Sequence, residues 1–316
     1  MQLPTLRIAE YIPRFPIVQG GMSVRVSTAS LASAVARAGG IGVIGATGIS
    51  LAELKDEICQ ARSRAEGGIL GVNIMFAARQ FAELVKTAID EKIDIIFTGA
   101  GFSRDIFRWV QDSSTAVVPI VSSAKAARLA EKLGAPAVVA EGSEAGGHLG
   151  TDRSIKDILP EIIESVNIPV IAAGGIVDGK GMVEMVKLGA SGIQMATRFV
   201  LSEECSVADE YKQLYLEARE EDVIIIKSPV GMPGRALRNQ FSRLIGEGDA
   251  PEPEDCDACL KNCSADYCIL QALNNAREGQ VDDGVIFAGQ NVFKIKDILP
   301  VSRIFEQILT EFAAAK

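Results

Sequence analysis

Eight short apolar runs, spaced by stretches of helical periodicity, set the narrowest limit on how this chain can fold. The runs are Phe15–Gln19, Ile41–Ala46, Ile69–Met75, Ile93–Thr98, Ala116–Val121, Ala137–Ala140, Pro169–Ala173 and Gly192–Phe199. They are rich in Val and Ile and show no polar–apolar alternation, which is the pattern of strands buried on both faces of a parallel sheet. Helical stretches lie at about 27–38, 51–64, 78–90, 103–111, 123–133, 153–166, 179–188 and 203–220. Several end in glycine, as in Ala38-Gly39-Gly40, Leu133-Gly134 and Leu188-Gly189, where helix C-caps need it. Eight such units within about 220 residues, without a large insertion, favour an α/β fold of the closed (β/α)8 TIM-barrel type. An open doubly wound sheet gives the same local pattern and is the alternative.

The character changes after residue 221. Ile224–Gly234 is turn-rich, Gly246–Asp257 is acidic with two prolines, and a cysteine-rich segment follows. Val301–Ala315 has the pattern of an amphipathic helix. The expected organisation is a barrel over 1–220, a smaller C-terminal lid domain carrying the cysteines over 221–289, and a tail over 290–316 that packs back on the barrel.

Charge and composition exclude several classes. With 32 Lys+Arg against 41 Asp+Glu the formal charge is −9, which argues against a nucleic-acid-binding surface. Hydrophobic residues form 48% of the chain, too many for disorder. No apolar run approaches the roughly 18 residues of a membrane span. Met1–Pro4 lacks the basic and apolar regions of a signal peptide, so a cytoplasmic protein is expected. Six cysteines are too few for a disulfide scaffold.

Gly40–Gly45 matches G-x-G-x-x-G, but a helix precedes it and a strand contains it, the reverse of a dinucleotide fingerprint. Close packing at the second strand accounts for it better. The loops after the seventh and eighth strands differ: Gly174 and Gly175 follow the seventh, and Gln194, Ala196 and Thr197 end the eighth. In barrels these loops commonly bind phosphate through backbone N–H groups, which the glycines here favour; tight turns are the alternative. Gly20, Gly21 and Met22 follow the first strand, where backbone without a Cβ can lie against a flat ring. Asn73 offers an amide towards the same opening, or a strand-end hydrogen bond.

The one histidine, His148, sits in the glycine-rich segment Val138–Gly150 after the sixth strand, with Gly146 and Gly147 beside it. That loop lies at the catalytic face of a barrel, where imidazole can move a proton or polarise a substrate. Glu141 and Glu144 are candidates to orient it or to bind a ligand hydroxyl. No lysine lies in a strand run, against a Schiff-base aldolase, and one histidine excludes a multi-His metal centre. Cys256, Cys259, Cys263 and Cys268 form a Cys-x2-Cys-x3-Cys-x4-Cys run. Four thiolates this close can bind an iron–sulfur cluster or zinc, although the spacing matches neither common pattern; four free thiols are the alternative. Cys59 and Cys205 read as ordinary buried residues.

Five strings in order carry a resemblance: PIVQGGM (Pro16–Met22), GVNIM (Gly71–Met75), VAEGSEAGGHLG (Val139–Gly150), IPVIAAGGI (Ile168–Ile176) and GIQMATRF (Gly192–Phe199). Over roughly residues 10–245 the chain resembles the nitronate monooxygenase (2-nitropropane dioxygenase) family, which includes the FMN-dependent enoyl-[acyl-carrier-protein] reductases. The resemblance implies an FMN-binding barrel with His148 as the catalytic histidine. It implies flavin contacts at or beside Gly20, Gly21, Met22, Asn73, Glu141, Gly146, Gly147, Gly174, Gly175, Gln194, Ala196 and Thr197. Two chemistries follow: oxidation of an alkyl nitronate with oxygen, which SPVGMPGRALRN (Ser228–Asn239) favours, or NAD(P)H-dependent reduction of an enoyl thioester. A flavin sensor without catalysis, its cysteines forming a zinc module, is the third. The partners expected are therefore a small-molecule substrate and no nucleic acid or membrane, with a homodimer left open. The cysteine run departs from the family pattern and hints at an iron–sulfur relay to FMN.

Overall fold

The computed structural model describes residues 2–253 and 255–315. Among the described residues eleven strands occur: β1 Ile17–Gln19, β2 Ile41–Gly45, β3 Ile69–Met75, β4 Ile95–Gly99, β5 Ala116–Val121, β6 Val138–Glu141, β7 Gly147–His148, β8 Val170–Ala173, β9 Gly192–Met195, β10 Val223–Ile226 and β11 Gly234–Leu237. Eight of them close a parallel barrel in the order β1-β2-β3-β4-β5-β6-β8-β9, sealed where Ile17, Val18 and Gln19 pair with Ile193, Gln194 and Met195 of β9. Their near-continuous burial explains why they read as unalternated apolar runs. One set of side chains, including Val18, Val43, Phe97, Val118, Val139 and Ile171, packs together inside the barrel with Leu6 and Ile8 from ahead of β1.

Twelve α-helices accompany the strands among the described residues: α1 Ala29–Arg37, α2 Leu51–Arg64, α3 Phe81–Asp90, α4 Asp105–Trp109, α5 Ala124–Lys132, α6 Ile155–Ser165, α7 Gly179–Lys187, α8 Thr197–Val200, α9 Asp209–Glu217, α10 Gln240–Glu247, α11 Ile269–Arg277 and α12 Val301–Ala314. Ser50, Ser123, Ser154 and Asp178 cap α2, α5, α6 and α7 through their side chains. α12 lies against α7 and α1, burying Ile304, Phe305, Ile308 and Phe312.

Three local expectations change. The eighth barrel strand stops at Met195, because Thr197–Val200 turns into helix. The helix expected over 203–220 is confined to Asp209–Glu217. Within the turn-rich Ile224–Gly234 stretch lie the facing ends of a hairpin, β10 pairing with β11 from Val223↔Leu237 to Ile226↔Gly234. β11 also pairs with β7 through Gly234↔His148 and Arg235↔Gly147. This small antiparallel sheet, with α10 and α11, gathers its own apolar cluster around Ile226, Phe241, Tyr267 and Val285.

The glycines of Gly40–Gly45 are packing residues. A Cβ on Gly42 would stand 1.8 Å from the Ala32 carbonyl oxygen of α1, so α1 touches β2 backbone to backbone. Gly42→Ala is therefore expected to destabilise the protein by about 1–3 kcal/mol, the usual cost of overpacking, as measured by denaturant unfolding.

Candidate active site

A cavity of about 640 Å3 opens at the C-terminal ends of the barrel strands, bounded on its outer side by α11 and by the chain around Cys259. Gly20, Gly21, Met22, Asn73, Glu141, Gly146, Gly147, His148, Gln194, Ala196 and Thr197 all line it. The barrel thus brings together residues from the ends of four of its strands, β1, β3, β6 and β9, with those of β7 beside them, as this fold does for its active sites. Gly174 and Gly175 are placed differently. Both take positive φ (112° and 69°), and a Cβ on either would press on the Gly142–Ala145 loop or on Asn291. They are not among the residues that line the cavity.

Gly21 shows why the first strand must end in glycine. A Cβ there would lie 2.3 Å from that of Asn73. The absence of side chains at Gly20 and Gly21 brings the β1 end against β3 and β9. Asn73, Glu141 and Gln194 project polar groups from three separate strands around this shelf.

His148 reaches the cavity from β7, outside the barrel proper. Its Nε2 lies 2.8 Å from Ser228 Oγ, and its ring meets Phe287 edge-on at 5.0 Å between centroids. Ser228 Oγ also accepts the Val230 N–H at 3.4 Å. Between Nε2 and Oγ either atom can donate, according to the imidazole tautomer. Burial depresses the His148 pKa to about 4, because a charged ring would lose its hydration. The histidine is neutral at pH 7. Burial acts in the opposite direction on Glu141, lifting its carboxyl to about 7.

Glu144 does not orient His148. Its carboxylate accepts from the Ser154 hydroxyl and, at 3.0 Å, from the Ile155 N–H, satisfying the start of α6. The partner that does reach the imidazole is Ser228, which sequence reasoning missed as a site residue: it is 80 positions away and only strand pairing brings it near. The family-like string beginning at Ser228 was the available signal. Phe287 and Tyr267 were also missed; the Tyr267 hydroxyl donates to the Lys227 carbonyl at 2.9 Å, directly behind Ser228.

Of the cysteines, Cys256 and Cys263 are exposed and Cys259 and Cys268 half-buried. Among the described residues no three His, Cys, Asp or Glu side chains converge on a point that would hold a metal ion. Cys205 is buried, but Cys59 is exposed, because its position on α2 faces away from the strands. Among the described residues no helix is long and apolar enough to cross a membrane. Ser228→Ala removes one hydrogen bond from a half-buried ring; it is expected to cost about 0.5–1.5 kcal/mol in denaturant unfolding, with Ser228→Thr close to the parent.

Comparison with known proteins places this architecture. A family model described as nitronate monooxygenase matches residues 6–84 and 61–311. The chain is 33% identical over 236 residues to (3aS,4S,5R,7aS)-5-hydroxy-7a-methyl-1-oxo-octahydro-1H-indene-4-carboxyl-CoA dehydrogenase of Mycobacterium tuberculosis, covering 74% of this chain and 66% of that one. A second such dehydrogenase, from Rhodococcus jostii, is covered over 63% of its length, so the match spans less than two thirds of either. A probable nitronate monooxygenase of Staphylococcus aureus is 30% identical, over 75% of this chain and 80% of its own. Among solved structures, FabK from Thermotoga maritima superposes with a TM-score of 0.87 at 37% identity, over 95% of this chain and 93% of that one. Nitroalkane oxidase from Streptomyces ansochromogenes gives 0.81 at 26% identity, over 95% and 96%. With the family model spanning nearly the whole barrel and the sheet that bears His148, the chain belongs to the nitronate monooxygenase family.

Proposed function

We propose that this protein is an FMN-dependent oxidoreductase that reduces an α,β-unsaturated acyl thioester at the expense of NAD(P)H. The apolar extension of the cavity carries the reading. Beyond the shelf formed by Gly20, Gly21, Asn73 and Gln194, the cavity continues between Ile49, Leu84, Ile269, Leu270 and Leu273. A flavin ring needs only the shelf, and a small alkyl nitronate leaves the apolar part unfilled. An acyl chain fills it and removes apolar surface from water. A relative named for a carboxyl-CoA compound and the similarity to FabK agree with a thioester.

The shelf suits FMN. Asn73 and Gln194 offer amide donors and acceptors to a polar ring edge, Gly20–Met22 permits close approach, and Thr197 stands where the strand-end loops would receive a phosphate. Gly174 and Gly175 would serve it only indirectly, by shaping the neighbouring turn. Bound there, FMN would supply two-electron chemistry between the nicotinamide and the β-carbon of the thioester. The chain's own residues do the rest. His148, held neutral by burial and fixed by Ser228, would in its Nδ1–H tautomer donate to the thioester carbonyl oxygen as negative charge develops there. Glu141 is the cavity group able to hold or release a proton near neutral pH. Overall, one NAD(P)H and one proton saturate one carbon–carbon double bond.

The nitronate monooxygenases of Staphylococcus aureus and the family model favour a second reading, oxidation of a nitronate with oxygen. Anaerobic spectroscopy of the flavin-loaded protein separates the two. The expected result is bleaching by NAD(P)H and recovery on adding an enoyl thioester, with turnover reduced by about 10²–10⁴ in His148→Ala and flavin retained. Bleaching by a nitronate but not by NAD(P)H would overturn the proposal.

A further inference from the structure

The Phe287 ring sits where a side chain at position 234 would lie: a Cβ on Gly234 would stand 2.8 Å from the ring's Cε1. Gly234 is the strand partner of His148, so the same seat brings the Phe287 ring edge-on to the imidazole. Ser228 meets the imidazole at one nitrogen only. A ring tied at a single atom can still tilt about it, and a second contact on its flank removes that freedom.

The place of Phe287 is set by its backbone. Phe287 bridges Ala236 of β11 in antiparallel fashion. The hydrogen bonds around the bridge belong to the neighbours: the Leu237 N–H donates to the Ile286 carbonyl at 2.8 Å, and the Ala288 N–H to the Arg235 carbonyl at 3.3 Å. Phe287 therefore occupies a non-hydrogen-bonded position, with its own N–H and C=O turned away from β11. A carbonyl left over in this way needs another donor. It accepts from the Tyr215 hydroxyl of α9.

Tyr215 is itself tightly held. It is 1% exposed and stacks on Tyr211, one helical turn earlier, with 5.4 Å between ring centroids and 28° between planes. A tyrosine this buried must find a partner for its hydroxyl. Burial also pushes that hydroxyl well above the usual tyrosine range, so it stays protonated and remains a donor. Tyr215, Phe287 and His148 all line the cavity.

We propose that Tyr215 is a positioning residue for His148: its hydroxyl anchors the Phe287 backbone, and the Phe287 ring, seated on Gly234, fixes the plane of the imidazole. α9, which follows the last barrel strand, is thereby tied to the outer sheet. The imidazole is held at a nitrogen by Ser228 and on its flank by Phe287. The same hold applies whichever substrate the cavity takes.

Proton spectra of the full chain, labelled with carbon-13 at histidine, test this without substrate or turnover, because His148 is the one histidine. Phe287→Leu removes the aromatic neighbour, whose ring current shifts the imidazole protons, and so marks the direction of the change. Tyr215→Phe keeps the ring and loses the hydroxyl. It is expected to move the His148 Cδ2 and Cε1 proton signals in the same direction as Phe287→Leu. His148 signals that stay at the parent positions in Tyr215→Phe, or move the opposite way, would overturn the proposal, since a hydroxyl that only supports the fold lowers stability and leaves them in place. Signals unmoved in Phe287→Leu would overturn it as well. If Tyr215→Phe does not fold, the parent decides: a slowly exchanging Tyr215 hydroxyl proton that cross-relaxes with the Phe287 backbone is expected, and its absence would contradict the anchor.

Discussion

The pairing of Gly147–His148 with Gly234–Arg235 is the contact on which the rest of the site depends. It draws the loop after β6 out of the barrel and makes it the third strand of the outer sheet. Arg235 reinforces the joint by donating from Nε and Nη2 to the Ser143 carbonyl at 3.0 and 2.7 Å. A residue on the other side of the chain's covering layer can then reach the imidazole. Without that pairing His148 would be a glycine-loop residue open to water, and Ser228 would have no way to meet it.

Enclosure then sets the chemistry. The same loss of hydration that lowers His148 raises Glu141, because each group prefers its uncharged form when water is withdrawn. The cavity therefore presents a neutral imidazole and a carboxyl poised near neutrality. Such an environment favours hydrogen-bond donation to a carbonyl oxygen and penalises a standing charge. The apolar wall from α11 and α3 continues the same logic into the part of the cavity suited to an acyl chain. The cysteine-bearing segment closes the circuit, since it grips the peptide groups on both sides of Ser228.

Much of this was legible in the sequence because the barrel's physics is local. Strands buried on both faces must be apolar throughout, and Gly39, Gly134 and Gly189 mark helix ends because the backbone there takes a positive φ. Cavity residues such as Gly20, Gly21, Asn73, Glu141 and Gln194 were legible too, since they lie at or just beyond strand ends that the apolar runs define. What was hidden depends on tertiary contact. A strand of two residues, Gly147–His148, has no periodicity to detect. Glu144 beside a histidine looks like its partner, yet backbone N–H groups at α6 claim it. Ile224–Ile226 were buried in a turn-rich reading because the hairpin pairing that defines them lies across Pro229 and Pro233.

A single histidine makes the central claim directly measurable. In protein labelled with nitrogen-15 at histidine, only His148 contributes imidazole signals, so its charge and tautomer can be followed against pH without assignment. A ring that stays neutral down to about pH 5, and titrates near pH 4, is the result the enclosed imidazole requires. A midpoint at the ordinary value of about 6.5 would show a solvated histidine and contradict the account.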